Sequence, residues 1–378
     1  MLHDEVCESK PESANRCIIE AVHLKNFRNL EEVYVEMGSG VNVLEGRNGQ
    51  GKTNILEAIV LLAGLKSFRG GRFQTMVMSG HDGFQLEARI RSKEEVHIIQ
   101  QSWSRKGRRI SVNDQLIRKS SALLKIFPVV FFGPDDLEIS KGSPGARRHF
   151  LDEAIVLCDP EKIHILRVFQ EVLKQRNKAL KETRERNLDK GVLRVYTKAF
   201  VKAACELERA RAEFLNEFSE QFCETFSDIT DRSLSASIRF RTQIGELNEE
   251  GIEDLDERDL ILGTTQKGPH RADLKICLDE KDVLGWASQG QHRLIVIALK
   301  IALLRRIENL RERQPLLLLD DVSSELDSGY SKLLSEHLLG RGSQVFATTT
   351  DAHAVGFDGA EINHFSVKSG LIEKRAHS

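Results

Sequence analysis

The chain has 378 residues, too many for one small core and enough for two domains. Hydrophobic residues make up 40% and charged residues 30%, an ordinary soluble balance; a formal net charge of −2 excludes a chain coated in basic charge, so any nucleic-acid contact must use a local patch. No apolar run is long enough to cross a bilayer, and the six cysteines include no CxxC pair, which argues against a zinc site or a disulfide framework and for reduced thiols in a cytoplasmic protein.

Residues 1–16 are polar and lack the apolar stretch of a secretory signal; they read as an extension. Structure is expected from Cys17, where CIIEAVHLKNF mixes apolar and polar residues as a strand does. A second strand, VNVLEG, runs into a glycine-rich turn at Gly46. A helix is expected from Thr53, with Ile55, Leu56, Ile59, Leu62 and Ala63 at helical spacing. Between Phe84 and Asn113, the segments FQLEARI, VHIIQQSW and RISVN alternate like antiparallel strands, and the basic turn SRKGRR joins the last two.

Composition changes after Pro134. From about Pro160 to Asp228 the chain is helical and charged, with Ile163, Leu166, Phe169, Leu173 and Leu180 on one segment. Val195, Ala199, Ala203, Leu207, Ala210, Phe214 and Phe218 fall on the next, and RNLDKG lies between them as a loop. This predicts a helical hairpin far shorter than an extended coiled coil. SASIRFRTQI returns to alternation, and from about Gly263 the pattern is strand, helix, strand. LLLLDDV and SQVFATTT are short apolar runs of the kind buried on both faces of a parallel sheet. The expected organisation is therefore an extension (1–16), two parts of one nucleotide-binding domain (17–133 and 263–378), and a helical arm lobe inserted between them (134–262).

Three strings carry chemistry. GRNGQGKT fits the phosphate-binding loop G-x-x-x-x-G-K-[ST]. Its members Gly46, Arg47, Asn48, Gly49, Gln50, Gly51, Lys52 and Thr53, with Asn54 beside them, are the candidate nucleotide-binding residues. Glycines let several backbone N–H groups turn toward phosphate oxygens, and the helix that follows presents its positive end to the same anion. Lys52 can reach the β- and γ-phosphates, and the Thr53 hydroxyl can ligand Mg2+. ATP and Mg2+ are thus the predicted cofactors. The second string is LLLLDDVSSELD. A strand ending in carboxylates places them where open α/β sheets bind ligands. Asp320 is the candidate Mg2+-side carboxylate and Asp321 the candidate that polarises the attacking water. The third is SQGQHR, in which a small residue and a glycine open a long helix with Leu294, Ile297, Ala298, Ile301 and Leu304 on related faces.

Phosphate loop, SQGQ, acidic strand and SSELD turn follow the order and spacing of ABC-type ATPase heads, with SQGQ resembling the signature sequence. The resemblance implies that one subunit's signature helix caps a nucleotide held by another subunit's phosphate loop. Ser288, Gly290 and Gln291 would supply that cap, and Asp327 would line the interface of an ATP-dependent homodimer. Further strings resemble the RecF family: HLKNFRNL, KSFR, FFGPDDLEISKGSPGARRHFLD and KGPHRADL. The chain departs from the family pattern in its extension, in His292 where glutamine is common, and in the threonines Thr348, Thr349 and Thr350 where a switch histidine is usual. No Q-loop glutamine stands out.

The resemblance implies an α/β ABC-type head with an antiparallel β subdomain and an inserted helical arm lobe. It also implies a weak ATPase that binds duplex or gapped DNA and, with RecR and RecO, helps RecA load onto single strands. Arg105, Lys106, Arg108 and Arg109 in the basic turn, and Arg69 and Arg72 after the first helix, are the candidate DNA contacts, which would neutralise phosphates without reading bases. Arg147 and Arg148 fit structural ion pairs equally well. The rival readings are a transporter's nucleotide-binding subunit, which would need an early Q-loop and a switch histidine, and a phosphotransferase with a small acceptor, which has no use for a signature helix.

Overall fold

The computed structural model describes residues 16–93, 95–186, 190–242, 252–321, 342–351 and 361–375. In chain order, β1 (Cys17–Phe27), β2 (Leu30–Glu36) and β3 (Val41–Glu45) lead to α1 (Lys52–Leu62). Then come β4 (Gly83–Ser92), β5 (Glu95–Ser104), β6 (Gly107–Val112), β7 (Gln115–Leu116), α2 (Ser121–Ile126) and β8 (Val129–Phe132). The helices α3 (Leu137–Lys141), α4 (Pro144–Cys158), α5 (Ile163–Arg186) and α6 (Lys190–Ile229) follow. After them come β9 (Ala236–Arg241), α7 (Ile252–Leu262), β10 (Asp273–Leu278), β11 (Lys281–Asp282) and α8 (Gln289–Arg311). The strands β12 (Leu316–Leu319), β13 (Val345–Thr349), β14 (Ile362–Lys368) and β15 (Leu371–Lys374) complete the described elements.

These elements divide into two units, Met1–Pro134 with Ile307–Ser378, and Asp135–Arg306. The first contains two sheets. One is antiparallel, in the order β2-β1-β4-β5-β6-β7. The other has the order β15-β14-β3-β13-β12-β8; β14, β3, β13, β12 and β8 run parallel, and β15 returns antiparallel at the edge. Leu316, Leu317, Leu318 and Leu319 are all buried, as a strand covered on both faces requires. One apolar cluster joins α1 to both sheets, through Leu24, Phe84 and Leu86 on one side and Leu44, Leu318 and Phe346 on the other. This explains why α1 is buried along nearly its whole length rather than on one stripe.

The second unit holds the arm. Helices α5 and α6 pack antiparallel: Phe169 meets Phe200, Arg176 meets Thr197, and Leu180 clusters with Leu193. The expected hairpin is present, although the middle of the RNLDKG loop lies outside the described residues. The apolar seam differs in register at one end. Val195 faces solvent, and Leu193 and Phe200 carry the contact instead, because the seam steps back from Ala203 by three and four residues. Arg176 lies fully buried in this seam. It donates to Thr197, Thr265 and Asp259 and stacks over Phe200, so its charge is paired and hydrogen-bonded.

The second unit runs on through β10 and most of α8 to Arg306, and the first resumes at Ile307. The cause is β10, which pairs with β9 and β11 in a three-stranded sheet of the second unit and is fastened there by Arg147. Helix α8 also differs from the amphipathic expectation. Ile295, Val296, Ala298, Leu299, Ala302 and Leu303 are all buried, so it is covered nearly all round. No helix among the described residues is long and apolar enough to cross a membrane.

Candidate functional site

The turn after β3 is shaped by its glycines. Gly49 and Gly51 sit at φ 80° and 113°, where a side chain is strained. A Cβ on Gly46 would lie 2.3 Å from the Val367 carbonyl oxygen, so β14 leaves no room for one. Arg47, Asn48 and Gly49 form the exposed crest of the loop. Gln50 lies to one side of it: its side-chain oxygen accepts from the Ser369 N–H at 2.6 Å, and its carbonyl accepts from the Gly370 N–H at 2.9 Å. The β14–β15 turn thus braces the loop.

Helix α1 begins at Lys52. The Lys52 ammonium donates to the carbonyls of Gly46 at 2.6 Å and Arg47 at 3.1 Å, so it lies folded against the loop. Burial pushes its pKa below the ordinary lysine value, while the nearby charges of Asp321 and Asp320 pull it back up. The Thr53 hydroxyl donates to Asp320 Oδ1 at 2.8 Å. A residue of the loop and the carboxylate at the end of β12, far apart in sequence, therefore meet directly. An alcohol and a carboxylate are hard oxygen donors of the kind Mg2+ takes, and a glycine cradle with a lysine beside it suits a triphosphate. Asp321 follows at φ 55°, with its backbone N–H donating to the Thr348 hydroxyl. Asp327 lies outside the described residues.

The sequence assigns no site role to Asn29, which holds this loop from its other flank. Asn54 Nδ2 donates to Asn29 Oδ1 at 2.7 Å, and Asn29 Nδ2 reaches the Gly49 carbonyl at 3.4 Å. One turn along α1, the fully buried Glu57 accepts from Arg28 Nε and Nη2 and from Ser67 Oγ, with Arg69 3.7 Å away. The strings HLKNFRNL and KSFR are thus tied together by a helical glutamate between them. A glutamate at an otherwise apolar helix position was the only trace of this in the sequence.

In the second unit, Ser288 caps α8. Its hydroxyl accepts from the Gln291 N–H at 3.2 Å, and the Gln291 side chain accepts from the Ser288 N–H at 2.8 Å. This reciprocal pair is a capping box, legible in S-x-x-Q. Gly290 lies in the first turn between them. The next residue, His292, is buried, and its Nδ1 lies 2.7 Å from Ser140 Oγ on α3. Burial and, to a lesser degree, Lys141 hold its pKa below the ordinary imidazole value.

The candidate DNA contacts divide. Arg105 and Lys106 form the exposed turn between β5 and β6, with Arg105 3.3 Å from Asp82. Arg109 lies opposite Ser102 on the outer face of the sheet. Arg108 lies opposite Trp103 on the other face, donates to Gln101 and stacks over Phe73, so it is turned inward. Strand alternation separates two neighbours that the basic turn had grouped. Arg69 donates to Asn54, and Arg72 is exposed. Arg147 is buried on Asp273 through two hydrogen bonds, and Arg148 donates to the Ala272 carbonyl, so both hold the KGPHRADL segment.

The profile described as RecF/RecN/SMC N terminal domain matches residues 18–370. A protein from Lysinibacillus sphaericus (strain C3-41) named DNA replication and repair protein RecF is 32% identical over 369 residues, covering 94% of this chain and 99% of its own. One of the same name from Halalkalibacterium halodurans is 33% identical over 372 residues, with the same coverage. A solved structure of the recombination mediator protein RecF-ATPrS in the RecFOR pathway superposes with a TM-score of 0.85 at 30% identity, over 97% of this chain and all of that one. An Smc head bound to the C-winged helix domain of ScpA shares the fold alone, at 18% identity and a TM-score of 0.54. With a profile spanning almost the whole chain and relatives of equal length above 30% identity, this chain belongs to the RecF family of ABC-type ATPase heads.

Proposed function

We propose that this protein is an ATP-dependent DNA-binding factor of recombinational gap repair and replication-fork maintenance. Two copies close around ATP, hold duplex or gapped DNA, and with RecR and RecO promote loading of RecA on single strands. The observation that carries the reading is the Thr53–Asp320 contact beside the glycine loop and Lys52, within a chain whose relatives are named for DNA replication and repair. Solved relatives are described with ATP and ATPrS in the RecFOR pathway, which supports ATP as the ligand.

Each residue has a part in this proposal. The loop amides and Lys52 hold the triphosphate. Thr53 and Asp320 would hold Mg2+, which when bound neutralises charge on the phosphates. Asp321 orients and polarises the attacking water, making a slow ATPase whose turnover releases the dimer. The N-terminus of α8 in one copy would face the γ-phosphate held by the other, because the aligned backbone dipoles at a helix start favour an anion. Exposed Arg105, Lys106, Arg109 and Arg72 would supply local positive charge for the DNA backbone, with Arg69 beside them.

Sedimentation with and without ATP, repeated with gapped DNA, tests this. The wild type should dimerise with ATP and bind DNA as the dimer, and Lys52→Ala should stay monomeric in both conditions. A wild type that ignores both ATP and DNA, or a Lys52→Ala variant that dimerises normally, would refute it.

A further inference from the structure

Strand β13 ends in Thr348 and Thr349, at the neighbourhood where ABC-type heads usually place a histidine. Thr348 is fully buried beside the end of β12. Its Oγ1 lies 2.7 Å from Asp320 Oδ1 and 2.8 Å from the Asp321 nitrogen. A threonine hydroxyl has one proton and two acceptor lone pairs. A carboxylate only accepts and a backbone N–H only donates, so the polarity is settled: the hydroxyl proton goes to Asp320, and a lone pair takes the Asp321 N–H. One oxygen atom therefore fixes both the side chain of Asp320 and the backbone of Asp321. The second job matters because Asp321 sits at φ 55°, a left-handed conformation that is costly for a residue with a side chain.

Asp320 Oδ1 receives a second hydroxyl, from Thr53. The two hydroxyls differ in what else they can do. Thr53 stands at the loop and is the one available to a cation, whereas Thr348 is enclosed between strands and already bonded on both sides. Were Thr53 to turn to a bound cation, Thr348 would be the hydroxyl still holding the carboxylate.

We propose that Thr348 is a positioning residue for ATP hydrolysis, locking the orientation of Asp320 and the left-handed turn at Asp321 through a single hydroxyl. This rests on the roles given above to Asp320 and Asp321. It assigns a task to the first of the threonines that stand in place of the switch histidine.

Thr348→Val keeps the shape and removes both hydrogen bonds. The expected result is ATP binding within a few-fold of wild type, hydrolysis slowed about 10- to 100-fold, and a rise in the Mg2+ concentration needed for half-maximal rate. In the nucleotide-free protein, the Asp321 amide should exchange with deuterium faster. Thr348→Ser keeps the hydroxyl and should restore both the rate and the slow exchange. Should the valine variant fail to fold, Thr348→Ala is read in the same way. Wild-type hydrolysis and unchanged Asp321 exchange in Thr348→Val, alongside an inactive Asp321→Asn, would overturn the role of Thr348 and leave the site intact. Normal hydrolysis in Asp320→Asn and in Asp321→Asn would overturn both.

Discussion

Glu57 and Arg28 meet in a two-pronged ion pair, with Nε and Nη2 of the guanidinium 3.0 and 2.6 Å from the two carboxylate oxygens. The carboxylate is wholly buried and the guanidinium mostly so. Removing one partner leaves the other charged in a dry place, which typically costs about 3–5 kcal/mol. Because Glu57 lies one turn from Thr53 on the same helix, the damage should reach nucleotide binding. Glu57→Ala should lower the melting temperature by several degrees and weaken ATP binding together. The double variant Arg28→Met, Glu57→Leu should recover most of the melting temperature. A single variant as stable as wild type would remove the pair from any role in the site.

Asp321→Asn should bind ATP as wild type does, lose about a hundred-fold or more in hydrolysis rate, and remain dimeric long after ATP is added. Single-turnover hydrolysis and sedimentation measure the two effects separately. Hydrolysis at the wild-type rate would pass the task of polarising water to another group.

The opposed faces of Arg108 and Arg109 make a sharp test of the basic hairpin. Alanine at Arg105, Lys106 and Arg109 together should weaken DNA binding and reduce the slope of log affinity against log salt by about 2–3 units, the value for three phosphate contacts. Arg108→Ala should leave that slope unchanged and lower the melting temperature, because it loses a stacking and hydrogen-bonding contact. Equal salt slopes in the triple variant and wild type would move DNA binding elsewhere.

His292 gives the fold a pH dependence of defined sign. Its pKa in the folded chain lies below the ordinary value of 6.5, so the unfolded chain takes up a proton first as pH falls. The stability it contributes is present above that value and is lost as pH falls from there toward the folded pKa. His270, also depressed by burial, adds to the same trend. Thermal melting between neutral and mildly acidic pH should show a smaller loss for His292→Gln than for wild type. Equal losses would mean that His292 titrates normally.

What was legible in the sequence was whatever lies in consecutive residues. The glycine loop, the LLLL strand, the antiparallel alternation and the helical arm are each specified by short-range periodicity, and each is present. The S-x-x-Q cap belongs to the same class. The contacts that make the site work join residues far apart in sequence. Arg28 meets Glu57 from 29 positions away, and Ser369 meets Gln50 from 319. Polar side chains such as Thr348 and Glu57 carry no mark of their partner, because pairing depends on strand order and not on spacing. The same holds for β10, which alternates like any strand: nothing in its sequence says which sheet it joins.

The brace on Gln50 by Ser369 and Gly370 has a consequence for biosynthesis. During translation the glycine-rich turn emerges early, but its support is made some 319 residues later. Until then a nascent chain carries the turn without the hairpin that shapes it, and contacts of such long range form slowly. Nucleotide capture should therefore mark the end of folding on the ribosome, not its start. A nested series of stalled chains, probed for protection by an ATP analogue, should change abruptly only once Gly370 has left the exit tunnel.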